Sequence, residues 1–551
     1  MKRFNFLLLF LSLFSLQTFS QSNSTSKKNF TRADSLRGTL SPLRSCYDVN
    51  FYHLDLKVDV DKQFISGSNL IRFTATRDFN KLQVDLFDNF EIQQITFKGR
   101  ELTFTTEYDA VFIEFPEVIK KGAVEELAVF YSGNPIIAPN APWDGGFIFT
   151  EDSSGAPWVA VACQGLGASS WWPNKDHQSD EVDSMLISIT VPRGLQNISN
   201  GRLISKEVQS DGSTRFNWFV SYPINNYNVT LNIGDFAHFS DSYQGEQGKL
   251  SLDYYVLREN LEKAKQHFKD VKPMLKCFEY WFGPYPFYRD GYKLIESPYL
   301  GMEHQSAVAY GNKYKKGYQG SDWSKTGLGL SWDYLIIHES GHEWFGNNIT
   351  SKDFADLWIH EAFTTYSEGL FVECLKGKQA GASYIKGERT AIKNDGPIIG
   401  SYGVNDEGSG DMYFKGANLL HSIRTIINND DKWRSILRGL NQTFGLKTVT
   451  GSEIVSYINE KSGMNFTKVF EQYLNHTGIP VLEIKRISAH TISYRWKADV
   501  SNFDMPVRIK LPGSDEWQFI YPASTARSLK FKGPISSVQV DTDNFYIDIV
   551  K

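Results

Sequence analysis

In the stretch HESGHEWFGNNIT, His338 and His342 stand four positions apart with Glu339 between them. On a helix, residues four apart lie one turn apart on the same face, so both imidazoles can reach one ion. Glu339 then sits to the side, placed to take a proton from a water that attacks a carbonyl. Two histidine ligands and a carboxylate base in this order form the HExxH pattern of zinc hydrolases. Apolar Leu335, Ile336 and Ile337 precede it, and Gly346 is suited to end the helix. Two surface histidines beside a salt-bridged glutamate are the plainer alternative.

Catalytic zinc takes three protein ligands and keeps a further position open. DLWIHEAFTTYSEGLF supplies Glu361, with eighteen residues between it and His342. It lies beside Trp358, Ala362 and Phe363, and an ionised carboxylate in apolar surroundings needs a partner. A metal and a helix-to-helix ion pair both meet that need, and adjacent His360 is a second candidate ligand. Glu368, seven residues further on, is two helical turns away and could accept from a ligand imidazole. A surface ion pair is the other reading of it. The donor set suits one zinc ion per chain, and cobalt or manganese would also fit.

These residues must be carried by helices. The spacing predicts helices around 331–345, 356–376, 413–428, 431–445, 452–462 and 465–475, with a helical texture from Arg258 onward. Upstream, residues 39–256 alternate with period two. In HLDLKVDV, Leu54, Leu56, Val58 and Val60 share a face, so a large antiparallel β domain with one buried side is expected. Beyond Ile479 alternation returns at Ile492, Tyr494 and Trp496 and at Val507, Ile509 and Leu511, enough for a small β sandwich over 479–551. The 551 residues exceed one hydrophobic core, and the fold class is multidomain α+β.

The net charge of −5 is small, with no basic block or acidic tail, which argues against nucleic acid and anionic membranes as partners. Residues 1–20 carry two basic residues and then an apolar run, the layout of a signal peptide; 21–38 reads as a flexible lead-in. An exported chain, periplasmic, cell-surface or secreted, is expected, with no membrane span after signal removal. Cysteines 46, 163, 277 and 374 are scattered, and four buried free thiols are the simpler reading. Oligomeric state is not set by any of these features.

HESGHEWFGN and WIHEAFTTYSE resemble the zinc aminopeptidase family of aminopeptidase N and leukotriene hydrolase, the HExxH-x18-E gluzincins. The resemblance covers about 45–551 and is strongest in 299–369 and 413–417. It implies Glu361 as third ligand, with His360 standing where the family has a non-ligand. LGMEHQ matches the family's GxMEN, which implies that Glu303 binds the substrate α-amine and that Gly301 and Met302 pair with the peptide backbone. Leu300 and His304 depart from that motif. YFKGA implies Tyr413 as the oxyanion donor, and CQGLGASSWWP places Gln164 where a relative's glutamine contacts the amine. The implied architecture is an N-terminal β domain, a thermolysin-like, mostly helical catalytic domain at 257–478 and the small C-terminal β sandwich. The implied reaction is hydrolysis of the first peptide bond of peptides with a free N-terminus. A thermolysin-type endopeptidase and a non-enzymatic binding protein on the same scaffold are the alternatives.

Overall fold

The computed structural model describes residues 28–512, 514–531 and 538–551. The expected signal peptide and the first part of the lead-in lie outside them. The rest of the lead-in is ordered. Arg32–Gly38 forms helix α1, closed by a capping box between Thr31 and Asp34. Gly38 lies so close to the 404–405 backbone that a β-carbon there would come within 2.5 Å of it. Tertiary contact orders a segment too short and polar to announce itself.

The N-terminal unit is built on an eight-stranded sheet whose centre is the pair Tyr47–Asp59 and Phe64–Ala75. Leu54, Leu56 and Val58 are buried as the alternation requires, and Val60 is partly so. The sheet is not wholly antiparallel: Tyr47–Asp59 pairs in parallel with Ser184–Val191. A four-stranded sheet carries Pro157–Ala162 between Gly146–Glu151 and Leu231–Gly234, so Gln164 follows directly from a strand end.

The hairpin Phe236–Gly245 and Gly248–Leu257 joins Tyr292–Glu296, Val308–Tyr310 and Gly301–Met302 in a five-stranded sheet. Sheet membership thus joins the hairpin to strands beyond residue 256, across the boundary expected there. Alternation cannot reveal this, because a strand reads alike whichever sheet it joins. Gly301–Met302 is an edge strand, paired among the described residues only with Val308–Tyr310.

The helices that follow are α2 (Leu261–His267), α3 (Val271–Phe282), α4 (Tyr334–Gly341), α5 (Trp358–Lys376) and α6 (Lys378–Glu388). Then come α7 (Phe414–Ile427), α8 (Asp430–Phe444), α9 (Gly451–Ser462) and α10 (Thr467–Asn475). Five expected spans agree to within two residues at each end, and α6 was not anticipated. Its two glycines lower helix propensity, and Gly381 is there to let the backbone of α5 approach: a β-carbon would lie 2.7 Å from the Gly369 carbonyl. A disulfide joins Cys277 of α3 to Cys374 of α5, correcting the reading of four free thiols; Cys46 and Cys163 are buried and free. Among the described residues no helix is long and apolar enough to cross a membrane.

The C-terminal unit packs a four-stranded against a three-stranded sheet, as a small sandwich should. Ile484, Ile492, Trp496, Val507 and Ile509 are buried in it.

Candidate active site

α4 starts at Asp333, whose carboxylate accepts from the backbone N–H groups of Leu335 and Ile336 at 2.9 and 3.3 Å. It presents His338 and His342 one turn apart. The expected helix to 345 instead stops at Gly341 and passes into a π-type turn, with Phe345 and Gly346 outside helical geometry and Gly346 at φ 127°. The break has a use: it turns the Phe345 carbonyl to accept from His342 Nδ1–H at 3.0 Å. Glycine at 341 lets α5 come close, since a β-carbon would lie 2.8 Å from Ser367 Oγ. That approach brings Glu361 back to the two histidines.

Glu361 Oε2 lies 3.7 Å from His338 Nε2 and 3.4 Å from His342 Nε2. Tetrahedral zinc with bonds of about 2 Å separates its ligand atoms by about 3.3 Å. Oε2 is buried without a hydrogen-bond partner among the described residues, so the three donors fit one ion by both spacing and need. Burial alone would raise Glu361, but His342 and His338 outweigh it and hold the carboxylate below its ordinary range. The histidines are fixed from behind. His338 Nδ1–H donates to Glu368 Oε1 at 2.7 Å, and Tyr384 Oη–H donates to Glu368 Oε2 at 2.8 Å. Glu368 is therefore the buried acceptor of a ligand imidazole and not a surface ion pair. His360 is not among the converging donors. Its Nε2 accepts from the Ser351 N–H at 2.9 Å, and burial keeps the ring neutral, with its pKa lowered to about 3.

Glu339 points into the same space. Burial, only partly offset by His338, pushes its carboxyl up to about 7. Gly301 passes directly against it: a β-carbon at 301 would lie 2.9 Å from Glu339 Oε1 and 2.5 Å from Leu335 Cδ1. The edge strand Gly301–Met302 thus runs beside the base with one side unpaired, and such an edge can add a peptide strand. Glu303 follows. One of its oxygens accepts from Gln164 Nε2–H at 2.8 Å and from Tyr227 Oη–H at 3.1 Å. Gln164 and Tyr227 come from the N-terminal unit, so the site is assembled across two units. Carboxylate oxygens of Glu303 and Glu339 and a ring nitrogen of His342 all lie within 4.8 Å of one another.

Several positioning residues escaped sequence reasoning. Tyr227 is one. Asn347 donates through Nδ2 to the Glu303 carbonyl at 2.7 Å, and Asn228 donates to Asn347 Oδ1 at 2.7 Å. His304, the departure from GxMEN, is wholly buried, with Nε2 3.1 Å from the Val161 carbonyl and Nδ1 3.2 Å from the Asn228 carbonyl. It clamps the Glu303 loop to the N-terminal unit. Tyr413 immediately precedes α7 and stacks on the His338 ring, centroids 6.0 Å apart. The KGA after it is also structural. Lys415 Nζ donates to the carbonyls of His476 and Thr477, and a β-carbon on Gly416 would meet Ala362 Cβ at 2.5 Å. Glycine there lets α7 lie against α5 beside Glu361 and so sets Tyr413 over the metal-binding face.

Residues 267–473 match the Peptidase family M1 domain. Over 525 residues the chain is 21% identical to a probable aminopeptidase 1 of Sulfurisphaera tokodaii, covering 90% of this chain and 62% of that protein. It is 22% identical to leukotriene A-4 hydrolase of Xenopus laevis, covering 80% of this chain and 73% of that one. Among solved structures it superposes with a TM-score of 0.67 on a mutant M1 zinc metallopeptidase of Deinococcus radiodurans bound to a Tyr-Ser-Ala substrate. That match is 18% identical and covers 81% of this chain and 98% of the other. The chain spans less than two thirds of the length of the Sulfurisphaera relative. The architecture is that of the M1 zinc metallopeptidases. The resemblance to the zinc aminopeptidase family rests on the fold as well as on the motifs.

Proposed function

We propose that the protein is a zinc aminopeptidase that removes the first residue of peptides with a free N-terminus. The observation that carries this reading is the distance between anchor and base. Glu303 and Glu339 hold carboxylate oxygens within 4.8 Å of each other. From an α-amine nitrogen to the carbonyl carbon of the same residue is about 2.5 Å, and one more residue adds about 3.8 Å. An ammonium held at Glu303 therefore leaves room for one residue before the scissile bond. An endopeptidase would have no use for that anchor, and a binding protein would need neither the base nor the ligand set.

His338, His342 and Glu361 would hold the zinc. When bound, zinc supplies Lewis acidity that polarises the scissile carbonyl and eases deprotonation of the attacking water. Glu339, with its pKa pushed up near neutrality, takes the water proton and passes it to the leaving amine. Tyr413 donates to the oxyanion, and Glu303 with Gln164 holds the α-ammonium while Gly301 and Met302 pair with the peptide backbone. The test is a panel of fluorogenic aminoacyl substrates, free and N-acetylated, with and without a chelator. Cleavage of free substrates only, lost with chelator and restored by zinc, is expected; equal cleavage of acetylated ones refutes the exopeptidase reading. Glu339→Gln should lower kcat by ~10³-fold or more with zinc content unchanged.

We also infer export. The charged and apolar layout of residues 1–20 supports it, as does a disulfide between α3 and α5, a bond that persists in oxidising compartments. N-terminal sequencing of the mature protein and thiol counting before and after reduction test it: a processed chain with two free thiols is expected.

A further inference from the structure

Beside the Glu303 anchor lies a cavity of about 40 Å³ that the chemistry above does not use. Gln164, Gln178, Asn226 and Tyr227 line it from the N-terminal unit, Asn405 from the loop before α7, and Arg37 from α1. α1 is tied down across this place. Arg37 Nη2–H donates to the Gly165 carbonyl at 3.1 Å, one residue from Gln164, and Asn405 Nδ2–H donates to the same carbonyl at 3.3 Å. Thr39 Oγ1–H donates to the Gly403 carbonyl at 2.9 Å. The lead-in thus clasps the Gln164 loop to the 403–405 loop.

A peptide held as above has one group free to enter. Its α-ammonium is at Glu303, its main chain lies along Gly301–Met302, and its scissile carbonyl faces the metal ligands. Nothing precedes the first residue, so only the first side chain is left to place. Gln164 and Tyr227, the two donors to the Glu303 oxygen, also line the cavity. The α-carbon, one bond from the anchored ammonium, therefore stands at its mouth.

The space admits about three waters, or a side chain of about four heavy atoms. Charge does not choose the occupant, because Arg37 and Lys352 face Asp176 and Asp353 across it. These groups are also engaged. Asp353 accepts from the N–H groups of Ala355 and Gly403 at 3.0 and 2.9 Å, Asp176 accepts from the Ser169 N–H at 3.0 Å, and Lys352 stands 3.6 Å from Glu453. Two polar atoms are left over. Asn226 is 6% exposed, and its Nδ2–H donates to the Lys175 carbonyl at 2.6 Å. That bond fixes the amide and leaves Oδ1 without a partner among the described residues. Gln178 Oε1 accepts from Ser351 Oγ–H at 3.3 Å, which leaves Nε2–H without one. An acceptor and a donor together suit a group that offers both, an amide or a hydroxyl.

We propose that this cavity receives the first side chain of the substrate, that α1 walls it through Arg37, and that the enzyme favours peptides beginning with a small, uncharged polar residue: Asn, Ser or Thr. The inference rests on the aminopeptidase reading, since it takes Glu303 as the amine anchor.

Steady-state assays with aminoacyl coumarylamides of Asn, Ser, Thr, Ala, Leu, Phe and Lys test it. In the parent, kcat/KM for Asn, Ser and Thr should exceed that for Leu and Phe by about tenfold, the worth of a neutral hydrogen bond and a size limit. Gln178→Leu removes the unpaired donor and should lower the Asn-to-Ala ratio about fivefold to tenfold. Arg37→Ala opens the wall and should raise the Leu-to-Asn ratio by about fivefold or more. Each readout is a ratio within one preparation, so the folded fraction of a variant cancels. A parent that cleaves Leu, Phe or Lys derivatives best overturns the inference and leaves the aminopeptidase reading standing. An unchanged Asn-to-Ala ratio in Gln178→Leu overturns the polar recognition, and an unchanged Leu-to-Asn ratio in Arg37→Ala overturns the wall. No cleavage of any free aminoacyl derivative by the zinc-loaded protein overturns that reading and this inference with it.

Discussion

Glu303 carries the largest share of the specificity argument, and its surroundings say what its loss should do. Gln164 and Tyr227 both donate to one of its oxygens, which fixes the carboxylate before any ligand arrives. Hydrogen bonds to charged groups contribute about 1.5–3 kcal/mol. Glu303→Ala should therefore raise KM for free aminoacyl substrates by roughly 10- to 100-fold and shrink the preference over N-acetylated ones by the same factor. An unchanged free-to-acetylated ratio in steady-state assays would remove Glu303 from the anchor. Tyr413 is different in kind, because an oxyanion donor acts in the transition state. Tyr413→Phe should lower kcat by about 10²- to 10³-fold and leave KM nearly as it was.

At the scale of elements, the site depends on close helix approaches that glycine permits. Gly341 sets α4 against α5 and Gly416 sets α7 against α5, and each faces a side chain within 2.8 Å of where a β-carbon would be. Overpacking of this kind costs about 1–3 kcal/mol. Gly416→Ala should lower stability by about that amount in denaturant titrations and reduce kcat, because the shift of α7 carries Tyr413 with it. If stability falls while kcat is kept, α7 does not set Tyr413. These contacts also mark where the sequence stops being legible. The His338, Glu339 and His342 register and the two β units follow from periodicity and spacing, whereas the preference for Glu361 over His360 comes from the family resemblance. The break at Phe345, the hairpin that crosses the expected boundary and the Cys277–Cys374 bridge do not follow from them, since each is decided by a partner far away in the chain. Glu368 shows the same limit: its spacing from Glu361 was visible, but only packing reveals that it is buried against His338.

For the whole molecule, the relevant fact is that the site straddles two units and the third braces it, so the junctions matter as much as the ligands. The junctions of the catalytic unit with its two neighbours each contain a buried imidazole, His304 and His421, and a half-buried one, His177, lies behind α1. His177 faces the Gly38 carbonyl behind α1, His304 ties the Glu303 loop to the N-terminal unit, and His421 on α7 lies 3.0 Å from Asn544 Oδ1 of the C-terminal sandwich. Burial lowers all three to about 4. Their folded pKa values are depressed below the unfolded value near 6.5. Below pH 6.5 the unfolded chain then binds the proton more readily, and the stability these groups provide above that pH is lost as pH falls toward 4. For His421, which is fully buried, the gap corresponds to about 3 kcal/mol. Glu181 and Glu343, raised by burial to about 8, act with the opposite sign: their contribution is full at low pH and is lost as pH rises through 8. The net curve of the parent mixes both, so a single-site comparison is required. His421→Gln keeps an N–H donor for Asn544 but cannot titrate. Its unfolding free energy, measured by denaturant at intervals between pH 7 and pH 4.5, should fall less steeply on acidification than the parent's, by up to one proton in the slope. Parallel curves would mean that His421 titrates alike in the folded and unfolded chain and that the junction tolerates the ion.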